Sequence, residues 1–121
     1  MQTKKTVIII DDDIKPSGEI KLFLEAKGFI VSNINDGSIA LQIIKGVNPD
    51  IILLDIIMPK IDGFTLAKQI RYEENLKDIP IIIFSAQGEM KELFAMEGIN
   101  DYIIKPVNNQ QLLELINKRI G

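Results

Sequence analysis

The chain has 121 residues, of which 46% are hydrophobic and 26% charged, and its formal net charge is -3 at pH 7. This length is typical of one globular domain that buries its own core, so we expect a single domain over residues 1–121 with no output domain in this chain. The slightly acidic balance offers no basic field for nucleic acid or anionic lipid, and the first residues lack the long apolar run of a secretory signal. We therefore expect a cytoplasmic protein with no direct binding to nucleic acid or membranes.

The sequence contains no cysteine and no histidine. Without cysteine the chain has no disulfides, thiol catalysis or zinc-thiolate sites. Without histidine it has no Ser-His-Asp triad and no imidazole base, and it cannot act as a phosphohistidine donor. Chemistry in this chain must therefore use carboxylates, lysines and hydroxyls, with or without a hard cation.

Short apolar runs alternate with helical patterns along the whole chain. Strands are predicted, in chain order, at 7–10, 29–33, 51–54, 81–84 and 101–104. Helices are predicted between and after them, at 16–27, 37–46, 63–72, 89–97 and 108–119. Solidly apolar strands that alternate with helices are typical of a parallel sheet buried on both faces with right-handed crossovers. The pattern predicts one doubly wound, flavodoxin-like α/β domain with strand order 2-1-3-4-5 and five helices.

Helical spacing also predicts which side chains of the helices face the core. In the second helix it groups Ile39, Ile43 and Ile44 with Ala40, and in the fourth helix it groups Met90, Leu93 and Phe94. These side chains are expected to be buried.

Four of the predicted strands are followed directly by side chains suited to phosphate or metal chemistry. These residues are Asp11, Asp12 and Asp13 after the first strand, Asp55 after the third, Ser85 after the fourth and Lys105 after the fifth. The second strand ends in Asn33 and is predicted to lie at the edge of the sheet. Because ligand sites of such sheets lie at the carboxyl ends of the strands, these side chains should converge.

Each of these residues has an ordinary explanation when it is considered alone. Asp13 and Ser85 could cap helices, and Lys105 could be a solvated loop residue. Together they are harder to explain, because two carboxylates about 5 Å apart repel by about 3 kcal/mol at an effective dielectric near 20. Either one carboxylate is protonated or a cation lies among them, and ligation by oxygen alone favours Mg²⁺. The ammonium of Lys105 and the hydroxyl of Ser85 suit phosphate oxygens.

Over essentially its whole length the chain resembles a response-regulator receiver domain, the phosphoacceptor module of two-component signalling and phosphorelays. The motifs that carry the resemblance are IIIDDD, IILLDIIMPKIDG, FSA and DYIIKP, in this order and at the ends of the predicted strands. The resemblance implies a phosphorylation-dependent switch that catalyses only its own phosphorylation and dephosphorylation and is otherwise not an enzyme. It implies a histidine kinase or histidine phosphotransfer protein as phosphodonor and a downstream effector protein as partner.

The resemblance also implies a role for each acidic residue. Asp55 is the phosphoacceptor. Asp11 and Asp12 bind Mg²⁺ together with Asp55 and the main-chain carbonyl of Ile57. Asp13 is assigned a capping or outer role.

The remaining site residues follow from the same motifs. Ser85 and Lys105 are implied to hold the phosphoryl group, and the bond from Lys105 to Pro106 is expected to be cis. Tyr102 matches the family's switch aromatic. The alternative interpretation is that Tyr102 has no switch role and is an amphipathic side chain on an outer strand.

Two positions border the path of the hydrolytic water in this family, and here they are Ile57 and Gln87. Isoleucine offers that water no hydrogen bond, so a long-lived aspartyl phosphate is expected, although Gln87 could partly offset the effect. Lys105 follows Ser85 by 20 positions, fewer than is usual in the family, so the fourth helix or the loop before it is expected to be short. The last helix lacks the arginines typical of dimeric relatives, which implies a monomer or a weak dimer that depends on phosphorylation.

Two other functional classes remain open from the residues alone. One is a phosphatase-like or dehalogenase-like enzyme with a nucleophilic Asp and Mg²⁺, although no cap domain is available to enclose a substrate. The other is an unphosphorylated pseudo-receiver that acts as a binding module. That class normally lacks an active-site residue, and none is missing here.

Overall fold

The computed structural model describes residues 4–56, 62–86 and 90–121. The strands are β1 (Thr6–Ile10), β2 (Ile30–Ile34), β3 (Ile51–Asp55), β4 (Ile81–Ser85) and β5 (Asp101–Ile104). The helices are α1 (Ile14–Ala26), α2 (Ala40–Val47), α3 (Gly63–Tyr72), α4 (Lys91–Met96) and α5 (Asn109–Ile120), with a 3₁₀ turn at Gly37–Ile39 before α2. The predicted order of strands and helices is confirmed.

The five strands form one parallel sheet with the order β2-β1-β3-β4-β5. The register places Ile10 opposite Leu54 and Leu54 opposite Ile83, so the carboxyl ends of β1, β3 and β4 lie side by side. This is the flavodoxin-like topology that the sequence predicts, with β2 at one edge. β5 forms the other edge.

Alternate residues of the strands supply two separate cores, one on each face of the sheet. Ile8 and Ile10 point to the face covered by α2, α3 and α4. Val7 and Ile9 point to the face covered by α1 and α5. Burying each such side chain contributes about 1.5–3 kcal/mol, so the central strands hold the site above them rigidly.

Two residues predicted to face the core are instead about half exposed. Ile39 is 47% exposed and Leu93 is 46% exposed. Ile39 belongs to the 3₁₀ turn, which has three residues per turn, so it does not share the face of Ala40 and Ile44. Leu93 precedes Phe94 by one position and so points about 100° away from it around the helix, and the buried face of α4 is the one that carries Phe94.

None of the helices in the described ranges is long and apolar enough to cross a membrane.

Candidate functional site

Three carboxylates meet at the carboxyl ends of β1 and β3. Asp55 is the last residue of β3, and Asp11 and Asp12 follow β1 directly. One oxygen from each of the three lies within 4.8 Å of the others. Asp11 and Asp55 are 2% and 7% exposed, whereas Asp12 is exposed. The expected convergence of acidic residues from these two strands is therefore present.

Lys105 directly follows β5, the edge strand beside β4, and its side chain extends to this acidic cluster. Its Nζ lies 3.4 Å from Oδ1 of Asp55 and 3.5 Å from Oδ2 of Asp11. Its main-chain N–H donates a hydrogen bond of 2.7 Å to the carbonyl of Ser85, which ties it to the end of β4. The bond from Lys105 to Pro106 is cis, which confirms the expectation.

The charge of Lys105 is set by opposing effects on its pKa. Burial lowers the pKa of this ammonium group, but the carboxylates of Asp11 and Asp55 outweigh that effect, so the pKa lies above its ordinary value of 10.5. Lys105 is therefore cationic throughout the neutral range. It offsets part of the repulsion between the two buried carboxylates.

Ser85 ends β4, the strand beside β3, and is only 2% exposed. In the register of the sheet it lies opposite Ile104, the residue before Lys105. The carboxyl ends of three neighbouring strands, β3, β4 and β5, therefore bring Asp55, Ser85 and Lys105 together.

The loop after β1 is ordered by hydrogen bonds to Asp11. Its Oδ1 accepts the main-chain N–H of Asp13 at 2.9 Å, and its carbonyl accepts Nδ2 of Asn35 at 2.8 Å. Asp13 occupies the N-cap position of α1, but its side chain makes no capping hydrogen bond. A side-chain capping role for Asp13 is therefore wrong.

Asn35 is a site residue that the sequence pattern did not reveal, because the predicted second strand ends at Asn33. That strand extends to Ile34, so Asn35 is the polar residue that directly follows it. The same rule that found Asp55 and Ser85, a polar side chain at the end of a strand, would have found Asn35 with the correct strand end.

The start of α3 lies directly against the end of β3. The N–H of Gly63 donates a 2.7 Å hydrogen bond to the carbonyl of Ile56. A Cβ atom at position 63 would lie 2.5 Å from Cα of Ile56 and 2.7 Å from the carbonyl oxygen of Asp55. Asp62 caps α3 by accepting the N–H of Thr65 at 2.8 Å. Glycine is required here because the backbone after Asp55 leaves no room for a side chain.

Tyr102 lies on the face of the sheet covered by α4. Its ring packs edge-on against Phe94, with centroids 6.2 Å apart, and Phe94 packs in turn against Phe64 of α3 at 5.3 Å. The Tyr102 hydroxyl is buried and has no hydrogen-bond partner in the described part of the chain. α4 spans six residues, which agrees with the expected short fourth helix.

Ile57 and Gln87 lie outside the described residues. The carbonyl ligand at Ile57 and the water path at both positions therefore stay predictions.

The residues present fit a hard divalent cation. Two of the three clustered carboxylates are buried, and the lysine that contacts them supplies a single positive charge. An all-oxygen donor set with one solvent-exposed carboxylate suits Mg²⁺, which retains several waters and is bound through few protein carboxylates. Asp11, Asp12 and Asp55 are the residues that would hold it.

The family described as response regulator receiver domain matches residues 7–117. The fold, the acidic cluster and the lysine at the end of β5 agree with this match, and the chain belongs to that family of two-component signalling modules.

Similar proteins include a longer transcriptional regulator and two solved structures of about the same length as this chain. The chain is 33% identical over 109 residues to the DNA-binding dual master transcriptional regulator RpaA of Synechocystis, covering 88% of this chain and 45% of that protein. It resembles the receiver domain of the Francisella response regulator 1452, with 33% identity, a TM-score of 0.88 and 97% of each chain covered. It also resembles the chemotaxis response regulator CheY4 of Vibrio cholerae, with 27% identity, a TM-score of 0.89 and 96% and 98% of the two chains covered.

The chain spans less than half the length of RpaA. Because RpaA is described as DNA-binding, the expectation that this protein makes no direct contact with nucleic acid stays a prediction.

Proposed function

We propose that Asp55 accepts a phosphoryl group from a phosphohistidine of a histidine kinase or phosphotransfer protein, with Mg²⁺ bound at the acidic cluster. The observation that supports this most strongly is the position of Lys105, whose Nζ lies 3.4 Å from Asp55 and 3.5 Å from Asp11. The ammonium group of Lys105 lies between the carboxylates of Asp11 and Asp55, where it is well placed to bind phosphoryl oxygens on Asp55.

The transfer is an in-line displacement at phosphorus. A carboxylate oxygen of Asp55 forms the new bond, and the bond from phosphorus to the donor's imidazole nitrogen breaks. The electron pair stays on that nitrogen, which takes up a proton. The product is an aspartyl phosphate on this chain and an unmodified histidine on the donor.

The chain's own residues position and neutralise the reacting group. β3, which is buried along its whole length, fixes the backbone of Asp55. Lys105 pairs with one phosphoryl oxygen and the hydroxyl of Ser85 donates to another. Bound Mg²⁺ supplies further positive charge to the phosphoryl oxygens.

The signal then depends on a difference in affinity between two conformations. If the phosphoryl group binds the Ser85 hydroxyl better in one arrangement of the end of β4, phosphorylation shifts the population toward that arrangement. Tyr102 lies one strand away, and we assign it the role of switch that changes the surface offered to an effector.

The lifetime of the aspartyl phosphate belongs to the same proposal. We infer that Ile57 hinders the hydrolytic water and that Ile57→Asn would shorten the lifetime. A loss of about 1.4 kcal/mol from the barrier would speed hydrolysis tenfold. Equal decay of the phosphorylated wild type and variant, at fixed Mg²⁺ and after removal of donor, would show that Ile57 has no such role.

The central test is phosphorylation by a small phosphodonor in the presence of Mg²⁺. Intact-mass measurement should show the addition of one phosphoryl group to the wild type and none to Asp55→Asn. Chelation of Mg²⁺ should prevent the reaction. Rapid turnover of varied phosphomonoesters would instead indicate a phosphatase, and no mass change from any donor or kinase would indicate a pseudo-receiver.

A further inference from the structure

We propose that Asn35 is a positioning residue for the acidic pair Asp11 and Asp12, an inference that rests on the proposed binding of Mg²⁺ by that pair. Nδ2 of Asn35 lies 2.8 Å from the main-chain carbonyl oxygen of Asp11. Because a carbonyl oxygen can only accept a hydrogen bond, the NH₂ group of Asn35 must be the side that faces it.

This hydrogen bond continues the pairing of β1 with β2 beyond the ends of both strands. The last register pair joins Ile10 to Ile34. Past it, the N–H of Asp11 donates to the carbonyl of Ile34 at 3.1 Å, and the side chain of Asn35 donates to the carbonyl of Asp11. The side-chain amide thus holds the main-chain group that the strand ladder no longer reaches.

The carbonyl held by Asn35 belongs to the peptide that joins Asp11 to Asp12. Since a peptide unit is planar, fixing its carbonyl direction also fixes where Cα of Asp12 lies. The side chain of Asp11 has other restraints, because it accepts from Asp13 and contacts Lys105. The carboxylate of Asp12 is exposed, so burial does not hold it. Asn35 should therefore matter most for the position of Asp12.

Asn35 is itself exposed and precedes the 3₁₀ turn that Asp36 caps. Replacing Asn35 should therefore disturb the loop after β1, which carries Asp11 and Asp12, without exposing either core. Residues that orient metal ligands without binding the metal typically change metal affinity about 10- to 100-fold when they are replaced. A single neutral, partly buried hydrogen bond places the expected change near the lower end, at about tenfold.

The test compares Asn35→Ala and Asn35→Leu with the wild type by calorimetric titration with Mg²⁺. The alanine variant removes the whole amide group, and the leucine variant keeps a similar size without a donor. Asp12→Ala serves as the reference for loss of a metal ligand. Asn100→Ala is the matched control, because Asn100 is an exposed asparagine at the opposite end of the sheet, just before β5.

A second readout needs no metal. Amide hydrogen exchange at Asp11 and Asp13, measured by NMR on the metal-free protein, reports whether the loop is held. We expect faster exchange at both amides in the two Asn35 variants, unchanged exchange in the core strands, and a Kd for Mg²⁺ raised about tenfold. Asn100→Ala should match the wild type in both measurements.

The outcomes separate this inference from the proposed function. If Asp12→Ala weakens Mg²⁺ binding but the Asn35 variants bind as the wild type does, Asn35 is not a positioning residue and the metal site stands. A lowered melting temperature with unchanged Kd would show that its role is only structural. If the wild type itself does not bind Mg²⁺, the metal role of the cluster is wrong and this inference falls with it.

Discussion

The ring of Phe94 lies edge-on against the ring of Tyr102, with centroids 6.2 Å apart and planes at 63°. Phe94 is completely buried, and the hydroxyl of Tyr102 is buried without a hydrogen-bond partner in the described ranges. A buried hydroxyl without a partner costs about 1–3 kcal/mol. The contact with Phe94 stabilises the inward position of the Tyr102 ring, and the hydroxyl without a partner among the described residues opposes it.

The proposed switch predicts that the environment of Tyr102 changes on activation. The chain has no tryptophan and only two tyrosines, so Tyr72→Phe leaves Tyr102 as the single tyrosine reporter. Tyr72 is 77% exposed, and its replacement should not disturb the core. Adding Mg²⁺ and a phosphoryl mimic should shift the ring resonances of Tyr102, and Ser85→Ala should reduce the shift. Ring resonances that stay unchanged on activation would contradict the assignment of Tyr102.

A second prediction concerns Asp12, the exposed member of the acidic cluster. Asp12→Ala should lower Mg²⁺ affinity at least tenfold, because it removes a metal ligand, while the fold is retained. The melting temperature without Mg²⁺ should stay equal or rise slightly, since one carboxylate no longer repels Asp11 and Asp55. Calorimetry and thermal unfolding measure the two effects. Unchanged Mg²⁺ affinity would remove Asp12 from the metal site.

A third prediction concerns Lys105 and pH. Lys105→Met removes the charge, so the variant should be less stable than the wild type by up to about 1 kcal/mol, a modest value because the side chain is partly exposed. The folded-state pKa of Lys105 is raised, so its contribution is fully present below the unfolded value and is lost as pH rises through the folded one. The difference in unfolding free energy should thus stay constant from pH 7 to 9 and shrink above the ordinary pKa of 10.5.

Denaturant unfolding of both proteins at several pH values measures that difference. A gap that closes between pH 7 and 9 would mean that Lys105 is not held by the two carboxylates. Phosphorylation by a small donor should also fail in Lys105→Met, for the separate reason that a phosphoryl oxygen loses its cation.

The close contact of α3 with β3 predicts a large effect at Gly63. In Gly63→Ala the new methyl group would meet main-chain atoms of Ile56 and Asp55, so the backbone must move. We expect a loss of more than about 2 kcal/mol in unfolding free energy and slower phosphorylation of Asp55. Gly46→Ala is the matched control, because Gly46 lies in α2 and a Cβ there meets nothing within 4 Å. Equal stability of Gly63→Ala and wild type would contradict the geometry at the end of β3.

Gly18 and Gly28 predict opposite effects of the same substitution. Gly18 lies inside α1, and a Cβ there meets nothing within 4 Å, so Gly18→Ala should stabilise the protein by about 0.5–1 kcal/mol. Gly28 follows α1 with φ of +98°, so Gly28→Ala should destabilise it by about 1–2 kcal/mol through backbone strain. Chemical denaturation of the two variants beside wild type measures both. A stabilised Gly28→Ala would show that the backbone there adopts a negative φ.

Local patterns in the sequence were sufficient to predict the strands and helices of this fold and most residues of the site. Apolar runs and helical spacing involve only near neighbours, and they located every described strand end to within one residue. Because parallel sheets place ligand sites at strand ends, the polar residues after the runs indicated Asp11, Asp55, Ser85 and Lys105. The one-residue error at β2 was enough to hide Asn35.

The contacts among these groups depend on the way distant parts of the chain pack together. Lys105 is 50 positions from Asp55 along the chain. Their 3.4 Å contact exists because β3 and β5 are parallel and only one strand, β4, lies between them, so both end on the same side of the sheet. The same holds for the hydrogen bond from Asn35 to Asp11 and for the contact of Phe94 with Tyr102. Local periodicity also misplaced Ile39 and Leu93, since burial depends on the neighbouring elements that cover a face. Spacing along the chain sets which way a side chain points, and the packing of distant elements sets what it meets.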